Sequence, residues 1–355
     1  MKLFFDARYT RTDYHDGISR YSAELGNALA KLTPVTFLIS EEGQKKWFPA
    51  DASFIKIHAG TSTKEPFTAF ILNKYKPDVV YSPMQTIGTM GRKYTSVLTP
   101  QDMIYYRHPQ APGFLPAHVR FGWRLYHLFY WPQRLILKGG DIITTVSNAS
   151  ASDLKKAKMT KLPIHVVYNA PQQFSTYPVH HENPIKNIVY MGSFMPYKNA
   201  ETLIKGMEWL PGRTLHLLSR IRPERKAELE KLIPAGAQVI FHNGVSDDEY
   251  EKLLADNTIL ATASRDEGYG IPVAEAMSIG VPTVISDMPV FHEVGADGAL
   301  YFSPDNPKEF AEQVVKLDDE AFRNDLIARG HQHMEQFSWD ASAKVLFDAI
   351  SRTAK

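Results

Sequence analysis

The chain of 355 residues contains no cysteine. Disulfide bonds and thiolate metal sites are therefore excluded, and the composition fits a protein of a reducing compartment. No apolar run approaches the roughly 20 residues of a membrane-spanning helix, and the first residues do not have the pattern of a signal peptide. We expect a cytoplasmic protein without a transmembrane helix.

A surplus of charge of one sign is also missing, because 40 lysines and arginines face 39 aspartates and glutamates. No overall electrostatic field attracts nucleic acid, so we expect no nucleic-acid partner. Hydrophobic residues make up 44% of the chain and charged residues 22%, as in ordinary globular proteins. The length is sufficient for two domains.

Short apolar runs alternate with helical patterns, which is typical of βαβ units and a parallel sheet. The predicted strands before residue 170 are 2–7, 35–40, 78–82, 95–100, 141–147 and 164–169. Residues 171–187 are polar, contain three prolines and are interpreted as a linker. The alternation then resumes with predicted strands at 188–193, 215–219, 238–243, 257–264 and 282–286. We therefore predict two α/β domains of parallel sheet that face a central cleft, where a ligand meets the carboxyl ends of the strands.

The stretch RDEGYGIPVAEAMSIGVP, Arg265 to Pro282, places Glu267 and Glu275 on both sides of a glycine-containing loop. Pro272 suits the first position of a helix, which puts Glu275 on the first turn, and Gly280 suits the left-handed residue after its end. Helix N-termini bind anions, and two carboxylates beside an anion site fit a ligand that also carries hydroxyl groups, such as a nucleotide-sugar. The alternative is a helix whose acidic residues only favour its dipole.

Two further turns follow predicted strands. Gly17 allows a ligand to approach the start of a helix closely, although a plain glycine turn is equally consistent with the pattern. Lys198 stands at the entrance to a helix, where a lysine opposes the helix dipole unless a diphosphate lies between them. The alternative is a solvated lysine.

Acidic residues after the strand 238–243 raise the question of a metal site. Ser246 and Glu249 have the spacing of a capping box, and Asp247 and Asp248 lie between them. Acidic residues in the first turn favour the helix dipole, which explains the pair better than a metal does. We expect no metal.

Residues 103–140 contain no acidic residue but five basic ones, with aromatic residues interleaved. One stripe at helical spacing is apolar and includes Phe121, Leu125 and Leu128, and another includes Arg120 and Arg124. Such a pattern can lie on an anionic membrane surface, here through residues 114–138. The alternative is a helix that covers its own core and has a solvated basic face.

Taken together, these motifs resemble the retaining nucleotide-sugar glycosyltransferases of family 4, whose GT-B fold has two Rossmann-like domains. The Glu267 to Glu275 spacing resembles the E-x7-E element of retaining GT-B enzymes. The resemblance covers nearly the whole chain and includes DGISRY, TVSNAS, GSFMPYKN, NGVSDDEY, Arg265 to Pro282, FHEVGADGALYFSPDNP and FSWDASAKVLF. It implies an acceptor-side domain at 1–170, a linker at 171–187 and a nucleotide-sugar-binding domain at 188–339, with helix 340–355 packing back on the first domain.

The resemblance also implies roles for single residues. Glu275 binds the ribose, and Glu267 holds the donor sugar and its phosphate together with the backbone of the next three residues, Gly268, Tyr269 and Gly270. Lys198 and Gly17 meet the diphosphate. The base is contacted by Asn243, Gly244 and Val245. The nucleotide-sugar, GDP- or UDP-linked, is then a co-substrate, and no other cofactor is expected.

Three positions depart from the family pattern. Ser193 stands where an arginine is common, and Arg220 is the candidate to replace that cation. Gln101 and Asp102 stand where the family commonly has His-Asp, and glutamine hydrogen-bonds but carries no proton. Ser219 replaces a usual glycine. The candidate catalytic residues are Glu267, Lys198, Gln101 and Asp102.

The predicted function is a retaining glycosyltransferase that moves a hexose, first of all mannose from GDP-mannose, to a glycan or glycolipid. A glycolipid made at the inner face of a membrane fits peripheral contact there. Alternatives are a UDP-hexose-dependent transferase, a catalytically silent nucleotide-sugar-binding subunit, or an epimerase or phosphorylase of the same fold.

Overall fold

The first sheet is parallel throughout. The computed structural model describes residues 1–13, 15–111, 117–172, 174 and 176–353. In this described part, seven strands pair in the order β3-β2-β1-β4-β5-β6-β7. They are β1 (Leu3–Asp6), β2 (Val35–Ile39), β3 (Ser53–Lys56), β4 (Val79–Ser82), β5 (Thr95–Leu98), β6 (Ile142–Thr145) and β7 (Ile164–Val166).

The central strands of this sheet are apolar on both faces. All residues of β1 and β4 are buried, including Phe4, Phe5 and Tyr81. Parallel strands covered on both faces read as continuous apolar runs, which is why LFFD and VVYS are recognisable in the sequence. The helices that accompany the strands are α1 (Gly17–Leu32), α2 (Thr68–Asn73), α3 (Ile104–Arg107), α4 (Ala117–His127), α5 (Trp131–Leu137) and α6 (Asn148–Lys156).

The second sheet is also parallel, and its described strands pair in the order β10-β9-β8-β11-β12-β13. They are β8 (Asn187–Tyr190), β9 (Thr214–Leu217), β10 (Gln238–Phe241), β11 (Thr258–Thr262), β12 (Thr283–Ser286) and β13 (Leu300–Phe302). The chain moves outward from β8 in one direction and returns to build β11 to β13 on its other side. Consecutive loops therefore diverge between β8 and β11, which is the topological switch point where α/β sheets bind ligands.

The helices of the second sheet complete the layers on its faces. They are α7 (Ala200–Gly206), α8 (Pro223–Glu230), α9 (Asp247–Ala255), α10 (Ile271–Ser278), α11 (Pro289–Gly295), α12 (Pro307–Lys316) and α13 (Glu320–Met334). Short 3-10 turns lie at Glu42–Trp47, Glu65–Phe67, Pro196–Lys198 and Met207–Trp209.

Contacts divide the chain into two units, Met1–Asn169 with Phe337–Lys355, and Ala170–Gln336. The segment predicted as a linker belongs to the second unit, because His180 pairs with Asp256 and the Glu182 amide donates to Asn257 Oδ1 at 2.8 Å. Hydrogen bonds to residues just before β11, including the buried Asn257, thus attach to the second unit a segment whose composition indicates a loop. Positions 173 and 175 of the predicted linker lie outside the described residues.

The last helix, α14 (Trp339–Thr353), packs on the first unit. The Trp339 ring meets Tyr21 of α1 at a centroid distance of 5.9 Å, and Ser342 Oγ donates to the carbonyl of Tyr168 at 2.8 Å. The first unit includes the end of the chain from Phe337, three residues before the predicted start at 340. The final two residues of the predicted helix 340–355 lie outside the described residues.

The prediction of two Rossmann-like α/β domains of parallel sheet is confirmed. Strands β3 and β13 are absent from the predicted set, because both are short edge strands with half-exposed side chains and little apolar contrast. Among the described helices, none combines the length and the apolar character needed to cross a bilayer.

A buried charge network closes the end of β1. Both guanidinium edges of Arg8 are occupied, with Nε donating to Asp6 Oδ1 at 2.7 Å and Nη1 to Glu65 Oε2 at 2.6 Å. The Arg8 and Asp6 side chains are fully buried. Burial acts to lower the pKa of Arg8, but Asp6 and Glu65 outweigh it and raise the pKa. Arg8 therefore pairs with two carboxylates, one of which is fully buried and the other 11% exposed.

We predict that Arg8→Met destabilises the protein by about 3–5 kcal/mol, because it leaves Asp6 and Glu65 buried without their counter-ion. The matched control is Lys31→Met, which removes a pair with Asp340 whose side chains are 64% and 66% exposed. That loss should be below about 1 kcal/mol. Urea unfolding of both variants measures the difference, and equal midpoints would contradict the prediction.

Candidate functional site

Lys198 and Glu267 meet at the switch point of the second sheet. Lys198 follows β8 and Glu267 follows β11, and Lys198 Nζ lies 2.6 Å from Glu267 Oε1. Their side chains are 17% and 14% exposed, so the pair is largely desolvated but open to solvent on one side. The structure thus brings together two of the predicted catalytic residues, which are 69 positions apart in the sequence.

Asn199 fixes the position of Lys198. The backbone of Asn199 is left-handed (φ 52°), a conformation that asparagine tolerates better than most residues. Its Nδ2 donates to the carbonyls of Ala263 at 3.0 Å and Pro304 at 2.7 Å. These bonds tie the loop after β8 to the loops after β11 and β13. Lys198 is therefore held beside β11 by its neighbour.

Ser264 orients Glu267. Its hydroxyl donates to Glu267 Oε1 at 2.8 Å, and its carbonyl accepts from Ser286 Oγ at 2.5 Å. Ser264 is fully buried, so the contact is shielded from competing water. Glu267 Oε2 accepts no hydrogen bond from the part of the chain that the structure describes. One carboxylate oxygen is thus held by the protein and the other can receive a hydroxyl group.

Tyr190, at the end of β8, lies under this pair. Its hydroxyl donates to the carbonyl of Ser193 at 2.7 Å, while Ser193 itself is exposed. Burial raises the pKa of Tyr190 well above its ordinary value, and the charge of Glu267 raises it further. Tyr190 is therefore a neutral hydrogen-bond donor that shapes the loop in which Ser193 lies.

Gly270 directs the chain into α10. Its φ of +103° favours glycine, and a Cβ atom at this position would lie 2.7 Å from the Phe291 ring. The helix begins at Ile271, one residue before the predicted start at Pro272. Glu275 is therefore its fifth residue, beyond the predicted first turn, and is 4% exposed. Gly280 has the left-handed φ of +82° that the sequence predicted.

The turn after β10 lies against Arg220. Gly244 has φ +105° and donates its amide to the carbonyl of Leu218 at 2.8 Å. A Cβ atom at Gly244 would lie 2.9 Å from Arg220 Cγ. Asn243 Oδ1 accepts from the Ile221 amide at 3.0 Å, which ties the turns after β9 and β10. The structure thus places Arg220 beside Asn243 and Gly244, and Val245 is the next residue of the same turn.

The capping box that follows this turn is confirmed, because Ser246 caps α9 and its amide donates to Glu249 Oε2 at 2.7 Å. Asp247 and Asp248 lie in the first turn of the helix. In the described ranges, no three histidine, aspartate or glutamate side chains gather as a metal-binding group.

The predicted residues of the first unit lie at two places, the start of α1 and the loop between β5 and α3. Gly17 is the first residue of α1, directly after the cap Asp16, and is exposed. Gln101 Nε2 donates to the carbonyl of Pro83 at 2.8 Å, and Asp102 Oδ1 accepts from the Ile104 amide at 2.9 Å. Gln101 and Asp102 are half-buried and hydrogen-bonded to backbone, so their positions are fixed.

Sequence reasoning missed Asn199 and Ser264, which position the ion pair. Both stand next to recognised features, since Asn199 follows Lys198 directly and Ser264 ends the strand pattern 257–264. The available signals were a small polar residue at the end of a buried strand pattern, for Ser264, and an asparagine directly before a helix, for Asn199. Their partners, which are backbone carbonyls and a carboxylate from other loops, are set by the tertiary fold.

The arrangement fits a ligand that is anionic at one end and carries hydroxyl groups at the other. A cation held in a partly buried place interacts more strongly with an anion than an exposed lysine does. Glu267 Oε2 offers an acceptor for a hydroxyl group within the same site. No general acid or base chemistry is required of either residue by this geometry.

Comparisons with known proteins agree with this architecture. Residues 179–333, within the second unit, match the family described as Glycosyl transferases group 1. The chain is 27% identical over 203 residues to the O-antigen chain mannosyltransferase RfbU of Salmonella typhimurium, covering 56% of each chain. It is 30% identical over 256 residues to the MMP alpha-(1->4)-mannosyltransferase of Mycolicibacterium hassiacum, covering 65% of this chain and 60% of the relative.

Among solved structures, the fold is similar to that of Anabaena Alr3699/HepE in complex with UDP-glucose. The TM-score is 0.71 at 14% identity, and the match covers 99% of this chain and 100% of the other. The chain spans about half the length of the curated relatives that it matches.

We predict that Gly270→Ala destabilises the second unit more than Gly236→Ala does. Both glycines have positive φ, at +103° and +80°, so alanine is strained at either position by about 1–2 kcal/mol. At Gly236 a Cβ atom meets nothing within 4 Å, whereas at Gly270 it meets the buried ring of Phe291. Displacement of that ring adds about 1–3 kcal/mol. Thermal unfolding measures both variants, and equal melting temperatures would show that Phe291 gives way without cost.

Proposed function

We propose that this chain, in which residues 179–333 match the glycosyl transferases of group 1, moves a mannosyl residue from GDP-mannose to a glycan or glycolipid with retention of configuration. The observation that carries the proposal is the Lys198–Glu267 pair at the switch point of the second sheet. Two relatives named as mannosyltransferases, of which one acts on the O-antigen chain, support the sugar and the acceptor class.

Lys198 is proposed to bind the diphosphate of the donor. In the structure its charge is balanced by Glu267, which carries a single negative charge. A diphosphate carries more negative charge than one carboxylate, so Lys198 exchanges its partner when the donor binds. Arg220 is proposed to add positive potential near the nucleotide, and the turn of Asn243, Gly244 and Val245 beside it is proposed to meet the base. Ser193 is exposed in the loop after β8, where the amide of the preceding Gly192 donates to Ser219 Oγ at 3.2 Å.

Glu267 is proposed to hold the donor sugar. Its Oε1 is fixed by Ser264, and its Oε2 accepts a sugar hydroxyl, with the backbone of Gly268, Tyr269 and Gly270 beside it. Glu275 is proposed to bind the ribose. Glu275 is only 4% exposed. The ribose is therefore proposed to contact either the small exposed part of this residue or a larger part of it after the start of α10 has moved.

Transfer with retention is proposed to proceed on one face of the sugar. The bond between the anomeric carbon and the phosphate oxygen breaks, and the acceptor hydroxyl forms a bond to the same face of that carbon. The hydroxyl proton moves to the departing phosphate oxygen, and the anomeric carbon passes through an oxocarbenium-like state. Lys198 stabilises the negative charge that grows on the diphosphate, which is electrostatic catalysis by a preplaced group.

Roles are also proposed for three residues of the first unit. Gln101 hydrogen-bonds a sugar hydroxyl but carries no proton, which is consistent with a phosphate oxygen as the proton acceptor. Asp102 is proposed to hold the loop through the Ile104 amide. Gly17 is proposed to admit the diphosphate at the start of α1.

The nucleotide can be identified by a thermal-shift titration of the full chain with GDP-mannose, GDP, UDP-glucose and UDP, in EDTA. A ligand present at 100 times its dissociation constant stabilises the folded state by about 2.7 kcal/mol. We expect the GDP series to raise the melting temperature and the UDP series to have a small effect. A larger shift with the UDP series overturns the GDP assignment, and no shift in either series overturns the proposed function.

We predict that Lys198→Met and Glu267→Gln each lower kcat/KM for mannosyl transfer about 10²–10³-fold, as losses of charge-stabilising groups do. Lys205→Met, at an exposed lysine of α7, is the matched control and should keep normal transfer. Melting temperatures confirm that each variant is folded. The one-bond coupling constant between the anomeric carbon and its proton gives the configuration of the product and thereby reports retention. Normal rates for Lys198→Met would disprove its role.

A further inference from the structure

Helix α4 has its apolar side toward solvent. Among its described residues, Ala117–His127, none is buried. Phe121 is 66% exposed and Leu125 49%, and they lie four positions apart on one side of the helix. A surface helix of a globular protein normally turns its apolar stripe toward the core. The alternative that α4 covers its own core is therefore wrong for this helix. Residues 114–116 of the predicted membrane segment lie outside the described residues.

The opposite side of α4 attaches the helix to the protein through rings. Trp123 meets Tyr105 edge to face at a centroid distance of 4.8 Å, and His127 meets Tyr106 at 5.1 Å. Tyr126 Oη donates to Gln133 at 2.8 Å. The packing of this inner side explains why Phe121 and Leu125 point outward: the amphipathic aromatic residues occupy the protein contacts.

Helix α5 repeats the arrangement. Gln133 and Leu137 are buried, whereas Trp131 and Leu135, four positions apart, are each 62% exposed. Leu128 and Phe129, between the two helices, are 59% and 58% exposed. We call these six residues the outer patch: Phe121, Leu125, Leu128, Phe129, Trp131 and Leu135. Exposed apolar side chains in such a density mark an interaction surface.

The charged residues of the segment that carries the outer patch are of one sign. Residues 103–140 contain no aspartate or glutamate. Arg120, Arg124 and Lys138 are exposed and form no ion pair with any other residue in the described ranges. Arg107 and Arg134, in contrast, face the protein, where they bind Asp153 and the carbonyl of Ala157. The basic residues beside the outer patch are thus directed toward a partner.

We propose that the outer patch docks on the surface of an anionic lipid bilayer. Outward aromatic and leucine side chains enter the region between headgroups and acyl chains, and Trp131 suits that boundary because its ring is amphipathic. Arg120, Arg124 and Lys138 neutralise anionic headgroups. Charge complementarity favours lipid over a second copy of the chain, since two copies would bring these cations together. Docking is independent of the proposed transferase activity.

The test is cosedimentation of the full chain with vesicles of phosphatidylcholine alone and with one third phosphatidylglycerol. We expect binding to the anionic vesicles that weakens with added salt. Phe121→Ser with Leu125→Ser, and separately Arg120→Gln with Arg124→Gln, should each weaken partitioning about tenfold. The matched control is Phe67→Ser with Phe70→Ser, at phenylalanines that are 53% and 49% exposed elsewhere on the first unit.

A second readout locates the contact. Brominated lipids should quench tryptophan fluorescence of the unaltered chain, and Trp131→Phe should lose most of that quenching. Melting temperatures exclude unfolding as the cause of lost binding. Equal binding to neutral vesicles, equal loss in the control variant, or a concentration-dependent dimer that the Phe121 and Leu125 substitutions abolish would overturn the proposal.

Discussion

The ion pair between Lys198 and Glu267 depends on the order of strands in the second sheet. Because β8 and β11 are neighbours although their first residues, Asn187 and Thr258, are 71 positions apart, the loops that follow them end side by side. Asn199 and Ser264 then hold the two charged residues at 2.6 Å. A topology that placed another strand between β8 and β11 would move the two residues about 4.8 Å further apart and remove the site.

The first sheet uses the same topology for a different purpose. Its switch point lies between β1 and β4, and Arg8, just after β1, also balances carboxylates there. The Arg8 side chain is fully buried, whereas Lys198 is 17% exposed. A fully buried ion pair stabilises the fold, because separating its partners leaves a buried charge without a counter-ion. A pair with one open side can exchange its partner for a ligand.

Helices α4 and α5 also have one side that is occupied by the protein and one side that is open to a partner. Their inner sides satisfy polar and aromatic contacts, such as Tyr126 with Gln133, and their apolar residues are left to solvent. Such an arrangement costs free energy in water, because exposed apolar area is unfavourable. A partner that covers the outer patch recovers that free energy, and the surrounding arginines determine which kind of partner it is.

Sequence patterns were sufficient to predict the two parallel-sheet units, most strands and the capping box at Ser246, and to single out Lys198 and Glu267 as candidate site residues. These features depend on local periodicity and on residue types whose conformational preferences act over a few positions. The edge strands β3 and β13 were missed because short, half-exposed strands have little apolar contrast. The sequence pattern of 171–187 indicates a linker, because the hydrogen-bond partners of this segment lie about 75 residues away and leave no local signal.

The sequence by itself determined which residues are charged, apolar or able to adopt a left-handed backbone, and in what order they come. It left open whether the stripe of Phe121 and Leu125 faces the core or solvent, since helical spacing defines a side but not its direction. Tertiary structure decided this, because Tyr105 and Tyr106 engage the opposite side of α4. Tertiary structure likewise decided that Glu275 is buried while Glu267 meets Lys198, since burial depends on neighbours that are distant in the chain.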